Sequence, residues 1–502
     1  MTFVAALAFC AYSLLRHAFL QSTTYDLGIQ DQVVWNTAYG RPFASSIEVR
    51  LYLADHLSLI LGLLAPLYRL WPDVRLLLAL QGCALALGAY PVYRLARRQI
   101  PEPLALLFPL LYLLYPALGF INRFDFHAEA FTTPFLLVAL WLWEEARYGW
   151  ASLPLLLALS CREEVGLVIA LWGGIQALSA VGRKRRLAAL WTVIGASWSL
   201  LGMGLVMPHL RGGPSDTFVA CFGHLGSSYG AGLLHFLRHP AAVLSESWQG
   251  LGGYKATFLP RLLLPLAFFP LLSPLSLVPL LPGLLAALFS RCLPHSTIYY
   301  QYTAPMIPFL FLGCIRGVVW TRVRFPELRR LLALLLLVGT MAALAWDCPW
   351  WKPLEGPGLY PVGRPVRPQN LEAFREAAAL IPPDAALAAD NYLGPHLAHR
   401  ERFYLFPYGE SWRADFVLVD LTRADPEERP FWERLRALLR YPSFRHWGGP
   451  ERTLLLDRSL PVEEVSSPWG SFGVRYFRQG ILLLVRGYPP HPALQEALLE
   501  GR

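Results

Sequence analysis

Residues 187–208, "LAALWTVIGASWSLLGMGLVMP", form an uninterrupted run without a charged side chain. A run of about 20 apolar residues is long enough to cross a bilayer as a helix, and its backbone satisfies its own hydrogen bonds there. Comparable apolar runs recur over the first 347 residues, so the pattern is that of a polytopic helical membrane protein. Composition agrees. Charged residues make up 16% of the 502 and hydrophobic residues 55%, whereas an ordinary soluble domain carries about 25% charged residues.

The basic clusters set an orientation. "RLARRQ" (94–99), "RKRR" (183–186) and "TRVRFPELRR" (321–330) separate apolar runs, and cytoplasmic loops are enriched in Lys and Arg. Placing all three inside accommodates about eleven segments, some short or broken. The amino terminus is then inside. The loops 22–73, 120–128, 209–257 and 291–303, and everything after 348, are outside. The first run, 3–20, has no basic leading region and no small-residue cleavage site, so it reads as a retained anchor. The net charge of +9 is almost entirely arginine and sits between spans; no nucleic-acid partner is implied. The seven cysteines show no zinc or disulfide spacing.

Two domains are expected: 1–347 in the membrane, with 22–73 as a first outer loop, and an extracytoplasmic domain over 348–502. The uncharged stretch 262–290 holds Pro265, Pro270, Pro274, Pro279 and Pro282; it reads as two broken helices turning near Ser273–Pro274. In the tail, "LEAFREAAALI" (371–381) and "PEERPFWERLRALLR" (426–440) read as helices. "AALAAD" (385–390), "DFVLVDL" (415–421), "RTLLLD" (452–457) and "GILLLVRG" (480–487) read as buried strands. Helices alternating with apolar strands indicate an α/β domain.

Ionisable groups beside apolar runs are costly unless paired or hydrated, so they mark candidate sites. Four groups stand out. Asp26 and Asp31 lie in "TTYDLGIQDQVVWN"; Asp26 suits the cap of a helix starting near Leu27, with Asp31 on that helix's surface. Asp55 and His56 precede an apolar helical run, where Asp55 again suits a cap. "NRFDFHAEAF" crowds Arg123, Asp125, His127 and Glu129 into one loop. "SCREEVG" puts Arg162, Glu163 and Glu164 between apolar pieces too short to span, as in a re-entrant bend or wet cavity. Helix caps, an aromatic belt and an internal salt bridge are the plain structural alternatives.

Acids in an outer loop near cationic groups suit one chemistry. Arginine holds a lipid phosphate and stabilises the departing one, and a carboxylate serves as general base toward a hydroxyl acceptor. Together they transfer a sugar from a polyprenyl-phosphate carrier. A divalent cation on the carboxylates is another route to the same end.

The pieces "YDLGIQDQVVWNTAYGRPF", "DHLSLILGLLAPLYRLWP", "FDFHAEAF", "CREEVGL" and "IPPDAALAADNYLGPHLAHRERFYLFP" with "ADFVLVDL" resemble a family of bacterial and archaeal polytopic proteins. That family is catalogued as a domain of unknown function and grouped with the GT-C glycosyltransferases. The resemblance implies a GT-C-like architecture with a catalytic acid in the first outer loop and a soluble outer domain after the last span. It makes Asp26 or Asp31 the base of an inverting transfer. It makes Arg162 a phosphate ligand. His56, Arg123, Asp125, His127, Glu163 and Glu164, singled out above as ionisable groups beside apolar runs, are the further substrate contacts expected. Many relatives read lysine-glutamate-aspartate where this chain has Arg162-Glu163-Glu164, and an aromatic is expected where Gln30 stands. The rival functions are a transporter or flippase for a lipid-linked or anionic solute, and a non-catalytic membrane scaffold. Broken helices and intramembrane charges fit a transporter, but no internal repeat is visible and the outer α/β domain has no evident transport role.

Overall fold

The computed structural model describes residues 1–48, 50–212, 220–226, 229–352, 368–423 and 472–488. The chain divides into two compact units. The first comprises Met1–Leu14, Tyr52–Leu64 and Arg75–Gly363; the second comprises Leu15–Leu51, Ala65–Val74 and Arg364–Arg502. The second unit therefore joins much of the 22–73 segment to the tail, a grouping that a cut in sequence order does not express.

The first unit is helical. Among the described residues four helices have the length and apolarity to cross a membrane: Arg75–Arg97, Leu104–Arg123, Gly182–Arg211 and Pro326–Trp346. Shorter apolar helices run over Thr2–Ala18, Ile60–Leu70, Tyr148–Leu159, Val165–Ser179 and Pro274–Phe289. The basic run 183–186 lies inside the helix that opens at Gly182. Proline accounts for the broken stretch, since it removes an N–H donor and clashes with the preceding turn. Helix Gly252–Leu263 gives way to 3-10 turns at Leu264–Leu266 and Phe269–Leu272, and helix resumes at Pro274–Leu277. The chain reverses at Ala267 and Phe268, both at positive φ, a few residues before the expected turn.

The segment 209–257, read as a polar loop, instead contains helices Tyr229–Arg238 and Pro240–Trp248 and the start of Gly252–Leu263. A disulfide joins Cys221 to Cys292, which corrects the reading of the cysteines. A single pair 71 residues apart leaves no local spacing to recognise. Helices Val165–Ser179 and Gly182–Leu201 pack through glycine: a Cβ on Gly166 would strike the Gly195 carbonyl, and one on Gly195 the Gly166 carbonyl. Small residues permit this close approach of backbones.

In the second unit a five-stranded sheet has the order Phe403–Leu405, Leu387–Ala389, Phe416–Asp420, Ile481–Arg486, Phe472–Arg478. The first three strands are parallel and the last two pairings antiparallel. One face buries Ala388, Val417, Val419, Leu482 and Leu484. The other buries Leu387, Leu418, Ile481 and Leu483 under Ala373, Phe374 and Ala377 of helix Pro368–Ala379. Both faces are covered, so the strands read as continuous apolar runs. The expected helix at 371–381 and the strands at 385–390, 415–421 and 480–487 correspond to elements of this unit. Strands Phe403–Leu405 and Phe472–Arg478 were not anticipated. The helix expected at 426–440 and the strand expected at 452–457 lie outside the described residues.

The early segment is stitched to the tail within this unit. Thr24 Oγ1 donates to the Asp390 carbonyl at 3.1 Å, and Tyr25 N–H to Asn391 Oδ1 at 3.0 Å. Gln32 Nε2 donates to the Arg400 carbonyl at 3.0 Å, and Ser46 Oγ to the Phe403 carbonyl at 2.7 Å. The Ser46 bond satisfies a carbonyl of the edge strand Phe403–Leu405 that burial would otherwise leave unpaired.

Candidate functional site

Asp31 sits in helix Ile29–Ala38 and its side chain is 0% exposed, so it is not the solvated surface acid that helical spacing suggests. A buried carboxylate requires partners. Its Oδ1 accepts a hydrogen bond from the Tyr68 hydroxyl at 2.6 Å and lies 2.8 Å from Nε2 of His399. Its Oδ2 is buried with no hydrogen-bond partner among the described residues. Three segments thus converge within the second unit: helix Ile29–Ala38, helix Ile60–Leu70 at Tyr68, and the turn after Leu397. The imidazole of His399 stacks on Trp35 with an interplanar angle of 11° and stays 28% exposed. Burial alone pulls the His399 pKa down, but the Asp31 carboxylate outweighs it and raises the group above its ordinary value.

Asp26 is different. It lies within a π-helical turn, Thr24–Gly28, and is half-buried, with Thr23 Oγ1 donating to its Oδ2 at 2.9 Å. It does not cap the following helix, whose start is Ile29. The helical backbone already begins at Thr24, after Thr23, so Asp26 lies inside its first turn rather than at the cap, which corrects the sequence reading.

In the first unit, "SCREEVG" forms the turn between helices Tyr148–Leu159 and Val165–Ser179. The Arg162 guanidinium, 11% exposed, lies 2.7 Å from Glu129 Oε2, 3.1 Å from Glu164 Oε2 and 3.8 Å from Glu163 Oε1. It also stands over the Tyr302 ring. Glu163 accepts the Leu57 N–H at 3.0 Å and lies 3.1 Å from His56 Nδ1. Four of the substrate-contact candidates, His56, Arg162, Glu163 and Glu164, therefore meet here, together with Glu129. One arginine faces three carboxylates, so the guanidinium is already occupied and the acid-rich cluster is not open to a further anion. Asp55 does not cap a helix; it precedes helix Ile60–Leu70 by several residues and lies 3.7 Å from Arg211 Nε.

Arg123, Asp125 and His127 are also buried. Gln81 clamps their turn, donating to the Asp125 carbonyl at 2.6 Å and accepting the His127 N–H at 2.8 Å. Asp125 adopts a φ of 65°, and His127 stacks on Phe124 at 5.1 Å. Arg123 donates to the Pro349 carbonyl at 3.1 Å and to the Lys352 carbonyl. Asp347 nearby binds Tyr299 at 2.9 Å, Arg261 at 3.2 Å and Lys352.

Tyr68 and His399 were missed. Tyr68 is embedded in an apolar run, and His399 lies in "LAHRERFY", where nothing in local spacing distinguishes it. Among the described residues no group of three or more His, Cys, Asp or Glu side chains is arranged to hold a metal ion. Asp31 Oδ1 already accepts from two hydrogen-bond donors.

Apolar helices long enough to span a bilayer, buried ionisable groups and a tail α/β sheet define a polytopic membrane protein. The chain belongs to the family DUF2079, described as a predicted membrane protein, whose pattern matches residues 16–450. No curated protein matches it. Among solved structures it is similar to an oligosaccharyltransferase from Archaeoglobus fulgidus, crystallised with a tethered acceptor peptide. That similarity is 11% identity with a TM-score of 0.41, covering 83% of this chain and 69% of the other.

Proposed function

We propose that this protein is a membrane glycosyltransferase of GT-C type, moving a sugar from a polyprenyl-phosphate carrier to a hydroxyl acceptor on the outer face of the membrane. The observation that carries the reading is the Asp31 centre. A wholly buried carboxylate held by a tyrosine and a partly exposed histidine is a proton-handling arrangement, and acceptor activation needs one. It lies in the segment where the family resemblance expects the catalytic acid. The Cys221–Cys292 disulfide supports the orientation, because disulfides persist in oxidising compartments; both cysteines fall in segments read as outer. The tail domain is then extracytoplasmic too.

Donor phosphate binding by Arg162 requires it to exchange carboxylate partners for phosphate. That cost favours a second reading, a transporter in which the Arg162 cluster moves charge. Mass spectrometry of lipids co-purifying with the full-length protein separates the two. A polyprenyl-phosphate sugar is the expected result; bulk phospholipid alone removes the donor and with it the transferase reading.

A further inference from the structure

Asp31 is poorly placed to touch an acceptor. Its side chain is fully buried and its Oδ1 is shared by Tyr68 and His399. A carboxylate accepts hydrogen bonds and cannot donate them, so the proton in the 2.8 Å contact belongs to Nε2 of His399. That assigns the tautomer. With Nε2–H committed to Asp31, the lone pair of neutral His399 is on Nδ1. Among the described residues Nδ1 makes no hydrogen bond, and the side chain is the exposed member of the centre. Trp35 and Tyr68 flank the ring, fixing its plane. A hydrogen bond to one imidazole nitrogen sets the role of the other.

We propose that His399, contributed by the tail, is the proton acceptor of the transfer and that Asp31 is its positioning residue. The inference rests on the transferase reading and goes beyond it. In the step, Nδ1 takes the acceptor hydroxyl proton as the acceptor oxygen bonds to the sugar's anomeric carbon. The bond from that carbon to the phosphate oxygen breaks, and its electron pair leaves on the phosphate. The imidazolium so formed is stabilised by the Asp31 carboxylate and returns its proton to water. Tyr68 donates to the same Oδ1.

The first test needs no substrate. The full-length protein in detergent is treated with diethyl pyrocarbonate from about pH 5 to about pH 9, a range that brackets histidine titration. Modification is read at each histidine by peptide mass spectrometry. His399 should react with a midpoint above 6.5, the ordinary value, and the midpoint should fall in Asp31→Asn. An unreactive His399 in the wild type, or a midpoint that Asp31→Asn leaves in place, overturns the pairing.

The second test uses undecaprenyl-phosphate-linked glucose, galactose and mannose as donors, with water or an alkyl glycoside as acceptor. His399→Gln keeps a donor toward Asp31 but removes the base. It should lower turnover by about 100-fold or more, and imidazole should restore part of the activity of His399→Ala. Wild-type turnover in His399→Gln overturns the base assignment and leaves the transferase reading standing. No donor consumption by the wild type overturns the transferase reading, and the base role with it, even where the titration shows the pair.

Discussion

Asp31 Oδ1 and His399 Nε2 stand 2.8 Å apart although 368 residues separate them in the chain. The pair is the one place among the described residues where a fully buried acid of the early segment meets a titratable group of the tail. It makes the two early aspartates unequal. Asp31→Asn removes the negative charge that Tyr68 and His399 share, and turnover should drop by about 100-fold or more. Asp26→Asn alters a half-buried carboxylate bonded to Thr23 and should cost less than about tenfold, or about 1.4 kcal/mol. Steady-state assays of both variants check this; equal losses would return Asp26 to equal standing.

The same pair makes stability pH-dependent. His399 is raised above its ordinary value by Asp31, with Asp73 and Tyr68 also facing it. A base with a raised folded pKa contributes stability that is fully present below 6.5 and is lost as pH rises through the folded value. Thermal unfolding in detergent should therefore show a wild-type midpoint that declines above about pH 6.5. His399→Gln should flatten that decline. A parallel decline in both proteins would assign it elsewhere.

Arg162 faces Glu129, Glu163 and Glu164. Its removal leaves buried carboxylates without a counter-charge, which costs about 3–5 kcal/mol. Arg162→Gln should unfold at lower temperature, and adding Glu129→Gln should recover part of the loss. If the double variant is no better than the single one, the pair does not carry the cluster.

Cys221 and Cys292 are bonded, whereas Cys10, Cys83, Cys161, Cys314 and Cys348 are free. Alkylation of unfolded, unreduced protein followed by mass spectrometry should label only those five. Replacing both bonded cysteines with serine should cost about 2–4 kcal/mol. Labelling of all seven cysteines in protein taken directly from membranes would remove the bond and its support for an outer location.

Much of the fold was legible because helix length, apolar runs and proline position are local properties. The helix at Arg75–Arg97, the break in the proline-rich stretch and the strands at Leu387–Ala389 and Ile481–Arg486 all follow from patterns within a few residues. The charged turn at Arg162–Glu164 was legible for the same reason: charges between short apolar pieces are conspicuous. Asp31 was visible as an acid in the right segment, but its burial was not. A carboxylate on a short helix looks alike in sequence whether water or another segment covers it.

The sequence by itself determined the membrane class, the main helices, the α/β character of the tail and which charged residues needed explanation, because each is set by local hydrophobicity and charge. Only the tertiary structure decided that Tyr68 and His399 close on Asp31, that Arg162 is saturated by carboxylates, and that the early segment folds with the tail. Those contacts depend on which distant surfaces bury one another, and no spacing along the chain records that.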